Sequence, residues 1–275
     1  MSPDTFRSVT VIRVRDGVQS PDADRAATEE PLEVRLHGRP FAVIMRTPGA
    51  DRELAAGFLL AEGVLTGADD LGTIAHCTDP SAEHPDNIVD VTLAGGSPEA
   101  IERWLAGRRQ VTTTSSCGLC GRQTIDSLRS DRPPLTSAWD VAPAVLASLP
   151  DALRASQSVF DETGGLHAAG LFAADGRLED VAEDVGRHNA VDKVIGRAIM
   201  RDALPLSDRL LFVSGRTSFE IVQKAFVAGI PIVAAVSAPS SLAIELAGEA
   251  GITLVGFVRG RGFNIYTHPS RLRSA

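Results

Sequence analysis

The spacing of apolar residues changes character part-way along this chain. In the first half, VTVIRV (9–14), LEVRL (32–36), FAVIMRT (41–47) and NIVDVTL (87–93) carry the β-branched, alternating pattern of strands. The polar stretch 16–30 predicts a mobile loop, and Gly-Arg-Pro at 38–40 a turn. DRELAAGFLLAEGV (51–64) predicts a helix: Asp51 suits its start, apolar residues recur at 54, 58, 59 and 65, and Gly63 suits its end. A further helix is expected over 97–107, where Ile101, Trp104 and Leu105 share a face, and then a strand over 109–114.

Residues 130–142 are rich in Pro, Ser and Asp and read as a connector. The stretch 141–165 is helical in pattern, broken at Pro150 and closed by Gly164-Gly165. Strand and helix then alternate. A hairpin over 166–185 turns at Asp175-Gly176. Helices are expected over 186–202, 217–229 and 240–251, and buried-type strands over 210–215, 230–237 and 252–258. Short continuous apolar strands between helices predict an α/β fold whose mainly parallel sheet is covered on both faces. The chain shows no internal repeat.

Composition narrows the function. The 275 residues suffice for one large α/β domain, or for a domain with a smaller lobe. The net charge of −8, from 27 basic against 35 acidic residues, argues against a protein that grips a nucleic-acid backbone. No apolar run approaches the roughly 20 residues of a membrane helix, and the N-terminus lacks the apolar core of a secretory signal. Three cysteines make a poor disulfide scaffold, so a reducing cytoplasm is the expected setting.

Ligands of open parallel sheets bind beyond the carboxyl ends of strands. LLFVSGRTS (210–218) passes through Gly215 and Arg216 into a helix start, the arrangement of an anion site. AAVSAPSS (234–241) repeats it with Ser237, Ser240 and Ser241 but no charge; ordinary N-capping is the alternative for both loops, favoured at this second one and balanced at the first by Arg216. EDVGRHNAVDK (183–193) brings Arg187, His188 and Asn189 to a third helix start. The alternative there is a solvated arginine beside a core histidine. FVRGRGFNIYTH (257–268) interleaves Arg259 and Arg261 with Gly260 and Gly262, ahead of Phe263 and Tyr266. Backbone approach, bidentate phosphate contacts and base stacking all suit such a segment, and a plain basic tail is the alternative.

The stretch TTTSSCGLCGRQT (112–124) holds Cys117 and Cys120 among hydroxyls and glycines. A single C-x-x-C falls short of the four ligands of structural zinc. The zinc deaminases pair H-x-E with P-C-x-x-C, whereas here His167 is followed by Ala168-Ala169 and Cys117 is preceded by serine. A thioredoxin-like pair is weakly supported, because no aromatic residue precedes Cys117. A sulfur carrier fits better. One thiolate takes sulfur as a persulfide, the other supplies electrons by closing a disulfide, and Arg122 nearby favours the thiolate.

Assembled in order, RELAAGFLLAEGVL (52–65), SSCGLCG (115–121), EDVGRHNAVDKVIG (183–196), SGRTSFEIVQKAFVAGIP (214–231), SAPSSLAIELA (237–247) and GFVRGRGFNIYTH (256–268) resemble the formate dehydrogenase accessory sulfurtransferase family (FdhD). The resemblance implies a sulfurtransferase. It would accept persulfide sulfur from a cysteine desulfurase and pass it to a bis(guanine dinucleotide) molybdenum cofactor destined for formate dehydrogenase. It implies Cys117 as the carrier and Cys120 as its partner, with Phe257, Val258, Arg259, Gly260, Arg261 and Gly262 contacting the cofactor. Arg216, Arg187 and His188 join them as the basic loops, and GDP is a natural analogue. It further implies a cytidine-deaminase-like core without zinc and a homodimer. The chain then divides into a variable segment 1–30, a lobe 31–130 ending in the C-x-x-C loop, and an α/β core 131–275. A cofactor chaperone without thiol chemistry, or a dithiol oxidoreductase without a guanine site, are the competing functions.

Overall fold

The computed structural model describes residues 5–95, 132–137 and 139–273. The expected helix at 97–107, the strand at 109–114 and the Cys117–Cys120 loop lie outside the described residues.

The chain opens with an antiparallel ribbon of β1 (Phe6–Arg15) and β2 (Val18–Ala27). This corrects the mobile loop expected over 16–30. Asp16 and Gly17, both at positive φ, turn the chain back. Arg13 reaches across to Asp22 at 2.9 Å. The whole of β2 but its last residue is exposed, so its sequence shows no apolar alternation.

β3 (Glu30–Leu36), β4 (Arg39–Arg46), β5 (Leu71–His76) and β6 (Ile88–Leu93) form a four-stranded sheet in the order β4-β3-β6-β5. Leu32, Val34 and Leu36, alternating on β3, are fully buried, with Val89 and Val91 of β6 beside them. Helix α1 (Asp51–Ala61) is enclosed nearly all round, and Arg52 is its one exposed residue.

After residue 139 come α2 (Pro143–Arg154) and α3 (Ser158–Thr163). Pro150 lies inside α2 and does not break it. The break falls at residues 155–157, and Gly164 at positive φ ends α3. β7 (His167–Phe172), β8 (Leu178–Asp184), α4 (Arg187–Met200), β9 (Leu210–Val213), α5 (Phe219–Val227), β10 (Ile232–Ala235), α6 (Ser241–Glu249), β11 (Thr253–Arg259) and β12 (Gly262–Ile265) complete the chain.

The six-stranded sheet has the order β12-β11-β10-β9-β7-β8. Only β9, β10 and β11 run parallel to one another. β7 is antiparallel to β9 and to β8, and β12 is antiparallel to β11. The sheet is mixed rather than mainly parallel, because a hairpin folds onto each edge. Its two faces are covered differently. On one face α2 packs Leu146, Leu149 and Leu153 against Phe172, Phe212, Ile232 and Val255. Each such leucine contributes about 1.5–3 kcal/mol by leaving water. On the other face lie α4, α5 and α6, in the same apolar core as α1 and the four-stranded sheet.

Helices α1 and α4 meet almost backbone to backbone. A Cβ on Gly57 would lie 2.1 Å from the carbonyl oxygen of Asp192, and one on Gly196 1.8 Å from that of Glu53. Glycine at both contacts lets the helices approach this closely. No described helix is long and apolar enough to cross a membrane.

Candidate functional site

Sheet register gathers the chemistry-bearing loops on one edge. His167 at the start of β7 pairs with Asp184 at the end of β8; Ala169 pairs with Val213, which pairs in turn with Ala235. The starts of α4, α5 and α6 therefore open side by side with the turn after β11. The loops are tied directly: Thr217 N–H donates to the Ala238 carbonyl at 3.3 Å, Ser240 N–H to that of Thr217 at 3.0 Å, and Phe257 N–H to that of Ser237 at 3.2 Å.

Asp184, fully buried, sets the position of α4. It accepts hydrogen bonds from Gly186 N–H and Asn189 Nδ2 at 2.8 Å each, and from Thr47 N–H at 3.1 Å. Asn189 also donates to the Met45 carbonyl at 2.8 Å. The amide expected at a ligand site thus fastens the end of β4 to the helix that carries Arg187 and His188.

Gly215 lets two side chains cross its loop. A Cβ there would come within 3.3 Å of His167 Nδ1 and 3.8 Å of Arg187 Cδ. Arg216, next in sequence, is exposed. Burial and the neighbouring Arg187 push the His167 pKa below its usual value, against the pull of Asp184. His188 is moved much further, to about 3, by burial first and then by Lys224, Arg187 and His167. The ring is neutral at working pH, so His188 is not the second cation that its place in the sequence suggests.

Behind His188 runs a buried polar chain that sequence reasoning missed. Its Nε2 lies 2.9 Å from Ser218 Oγ, and its Nδ1 lies 3.1 Å from Glu220 Oε2. Lys224 Nζ follows, 3.2 Å from Glu220 Oε1 and 2.8 and 2.9 Å from the two oxygens of Asp192. Burial raises the Asp192 pKa above the ordinary carboxylate range, while Lys224, facing two carboxylates, stays protonated. The available signal was Glu220 and Lys224 four residues apart within a largely apolar helix. Capping separates the two serine loops. Ser240 Oγ accepts from Ala243 N–H at 3.3 Å and caps α6, whereas Ser218 makes no cap to α5.

The segment from Phe257 to Gly262 leaves the same edge. Phe257 sits at φ 54, in the left-handed region that bulky residues rarely occupy, with 38% of its surface exposed. Arg259 Nε donates to the Val236 carbonyl at 3.1 Å, and its guanidinium lies 5.7 Å from the Phe257 ring centre. Gly260, at φ 56, makes the turn, and Arg261 and Gly262 are exposed. Val258 is fully buried in the core beneath the sheet, so only its backbone faces the edge. A cavity of about 610 Å³ adjoins this edge under α2 and α3, lined by Leu153, Arg154, Phe160, His167 and Ser214 among others.

These features define an α/β protein with a basic, glycine-flanked ligand edge on a mixed sheet. The chain matches the FdhD/NarQ family over residues 27–273 and belongs to it. It is 53% identical to a protein named sulfur carrier protein FdhD from Streptomyces avermitilis, covering 96% of this chain and 95% of that one. A relative of the same name from Anaeromyxobacter dehalogenans is 52% identical, over 90% and 88% of the two chains. Among solved structures, a formate dehydrogenase accessory protein from Desulfotalea psychrophila superposes with a TM-score of 0.75 at 25% identity. That match covers 98% of this chain and all of the other.

Proposed function

We propose that this protein is a sulfur carrier that takes persulfide sulfur from a cysteine desulfurase and delivers it to a bis(guanine dinucleotide) molybdenum cofactor for formate dehydrogenase. The observation that carries this reading is the near end-to-end match to proteins named sulfur carriers in a chain that holds the Cys117–Cys120 pair. The name of the solved neighbour supports the link to formate dehydrogenase.

The chemistry balances with the residues present. The Cys117 thiolate attacks the outer sulfur of the desulfurase persulfide. The desulfurase S–S bond breaks, its cysteine leaves as a thiolate, and Cys117 holds S–SH. That outer sulfur is formally neutral. When the Cys120 thiolate attacks the inner sulfur, a Cys117–Cys120 disulfide closes and hydrosulfide departs, the two thiols having supplied two electrons. A cellular thiol reduces the disulfide and readies the carrier again.

The cofactor is substrate here. Its pyrophosphates and guanines suit Arg216, Arg187, Arg259 and Arg261, the exposed ring of Phe257, and the backbone of Val258, Gly260 and Gly262. The reading includes a cytidine-deaminase-like core, a homodimer and a cytoplasmic setting. Its test is a strain whose only copy carries Cys117→Ala. Formate dehydrogenase activity is expected to vanish while the variant stays folded and still binds GDP. Retained activity would overturn the carrier role in favour of a chaperone that needs no thiol.

A further inference from the structure

Helix α5 begins without its cap. Ser218 occupies the N-cap position with extended backbone, φ −91 and ψ 169, from which a serine hydroxyl ordinarily accepts a first-turn amide. Its Oγ turns instead to His188 Nε2, 2.9 Å away. Helix α6 is an internal comparison. It is equally long, at nine residues, and also follows a parallel strand, yet Ser240 in the equivalent place caps it. What separates the two serines is the histidine.

The far side of the ring fixes the direction of that bond. His188 Nδ1 lies 3.1 Å from Glu220 Oε2, a buried carboxylate oxygen that makes no aligned hydrogen bond among the described residues, so the contact is one of charge and proximity. A carboxylate only accepts, so the ring hydrogen sits on Nδ1, and Nε2 is left to accept the Ser218 O–H. The first-turn amides of α5, which have no partner within the helix, keep none from the side chain in front of them. Two further polar atoms beside this turn are buried and unpartnered. One is Oγ1 of Thr217, a residue 1% exposed; the other is Nε of Arg187, whose side chain crosses Gly215 toward the same loop. Open amides and unsatisfied buried polar atoms together describe a receptor for an anion.

We infer that His188 is a positioning residue: by drawing the Ser218 hydroxyl aside it holds the start of α5 open for a phosphate group of a nucleoside diphosphate. His188 does not itself provide charge to that phosphate; Arg187 and Arg216 do. The inference rests on the cofactor reading above for the identity of the ligand.

The test is a calorimetric GDP titration of four full-length proteins: wild type, Ser218→Ala, His188→Ala and the double variant. Ser218→Ala should bind as the wild type does, since the turn stays open. His188→Ala should bind roughly five- to tenfold more weakly, because the released serine caps the turn and competes with the ligand. Removing the serine as well should restore binding to within about twofold, a rescue that simple structural damage cannot give. A double variant as weak as His188→Ala overturns the inference.

Because truncating a buried ring can unfold the protein, a measurement on the wild type stands beside it. The groups facing His188 are Ser218, Glu220, Lys224, Arg187 and His167. Nitrogen NMR between about pH 8 and 5 should find the ring neutral with its hydrogen on Nδ1, and GDP affinity should gain nothing from ring protonation across that range. A ring that charges as binding tightens would make His188 the phosphate's cation and overturn the positioning role. A wild type that binds no GDP would defeat the cofactor reading, and the ring measurement would then decide the role of His188 alone.

Discussion

Lys193 Nζ lies 2.7 Å from Asp184 Oδ2, and both side chains are sealed from solvent. The lysine also donates to the carbonyls of Thr47 at 2.9 Å and Glu183 at 3.3 Å. One buried pair therefore ties the start of α4, the end of β8 and the loop leading into α1. Removing one partner of such a pair leaves an uncompensated buried charge. Asp184→Ala should cost about 3–5 kcal/mol in denaturant unfolding. A loss under about 1 kcal/mol would contradict this account of how the site edge is held.

The contact of α1 with α4 gives a second prediction with an internal control. Gly57→Ala and Gly196→Ala each drive a methyl into a backbone carbonyl of the opposing helix, and each should cost at least the roughly 1–3 kcal/mol typical of overpacking. Gly248→Ala makes the same change on α6, where the new Cβ would meet only Thr267 Cγ2 at 3.9 Å. There alanine's better helix propensity should raise stability by up to about 1 kcal/mol. Thermal unfolding of the three variants should show opposite signs, and three equal losses would contradict the packing described.

Much of this fold was legible because burial writes itself into sequence as a period. The strands at 32–36 and 87–93 and the helices at 51–64 and 186–202 are half or wholly buried, and their patterns gave them away. β2 was not legible: VQSPDADRAA is exposed along nearly all its length, even carries Pro21, and pairs through backbone and charge rather than through an apolar face. Strand direction was equally invisible, since apolar period carries no polarity, and so a mixed sheet read as mainly parallel. The basic, glycine-flanked character of Gly215-Arg216 and of Arg259 to Gly262 showed in composition. The role of Ser218 did not. A serine before a helix reads as a cap, and only its distance to His188 shows otherwise.

Acid should expose the buried histidine. The His188 pKa falls to about 3 on folding, from an ordinary value near 6.5. Between those values the unfolded chain binds a proton that the folded chain does not, so this residue's contribution is full above about pH 6.5 and declines as pH falls. The slope should approach about 1.4 kcal/mol per pH unit in that window. Asp192, whose pKa is raised to about 7, works in the opposite direction over part of it. The comparison is therefore wild type against His188→Gln, where the variant should lose the histidine's slope alone. Parallel stability profiles for the two proteins would contradict a buried neutral ring.

At the ligand edge, Arg216 stands exposed one residue after Gly215, free to reach a phosphate. A charged hydrogen bond of this kind contributes about 1.5–3 kcal/mol, so Arg216→Ala should weaken GDP binding roughly ten- to a hundredfold in calorimetry. Sulfur loading from the desulfurase should survive, since it needs no nucleotide. Equal GDP affinities would make Arg216 a surface charge beside a helix. Lost loading with intact binding would move it to the desulfurase interface.

The central claim is that this chain carries sulfur on a cysteine, and intact-protein and peptide mass spectrometry tests it most directly. The purified protein is incubated with a cysteine desulfurase and cysteine, without reductant, and mapped residue by residue. The account predicts one added sulfur atom on Cys117, absent from Cys117→Ala and removed by a thiol reductant. It also predicts that Cys120→Ala still loads Cys117 but releases the sulfur slowly. A wild-type protein that stays unmodified beside an active desulfurase, or that gains sulfur only on Cys77, would contradict it.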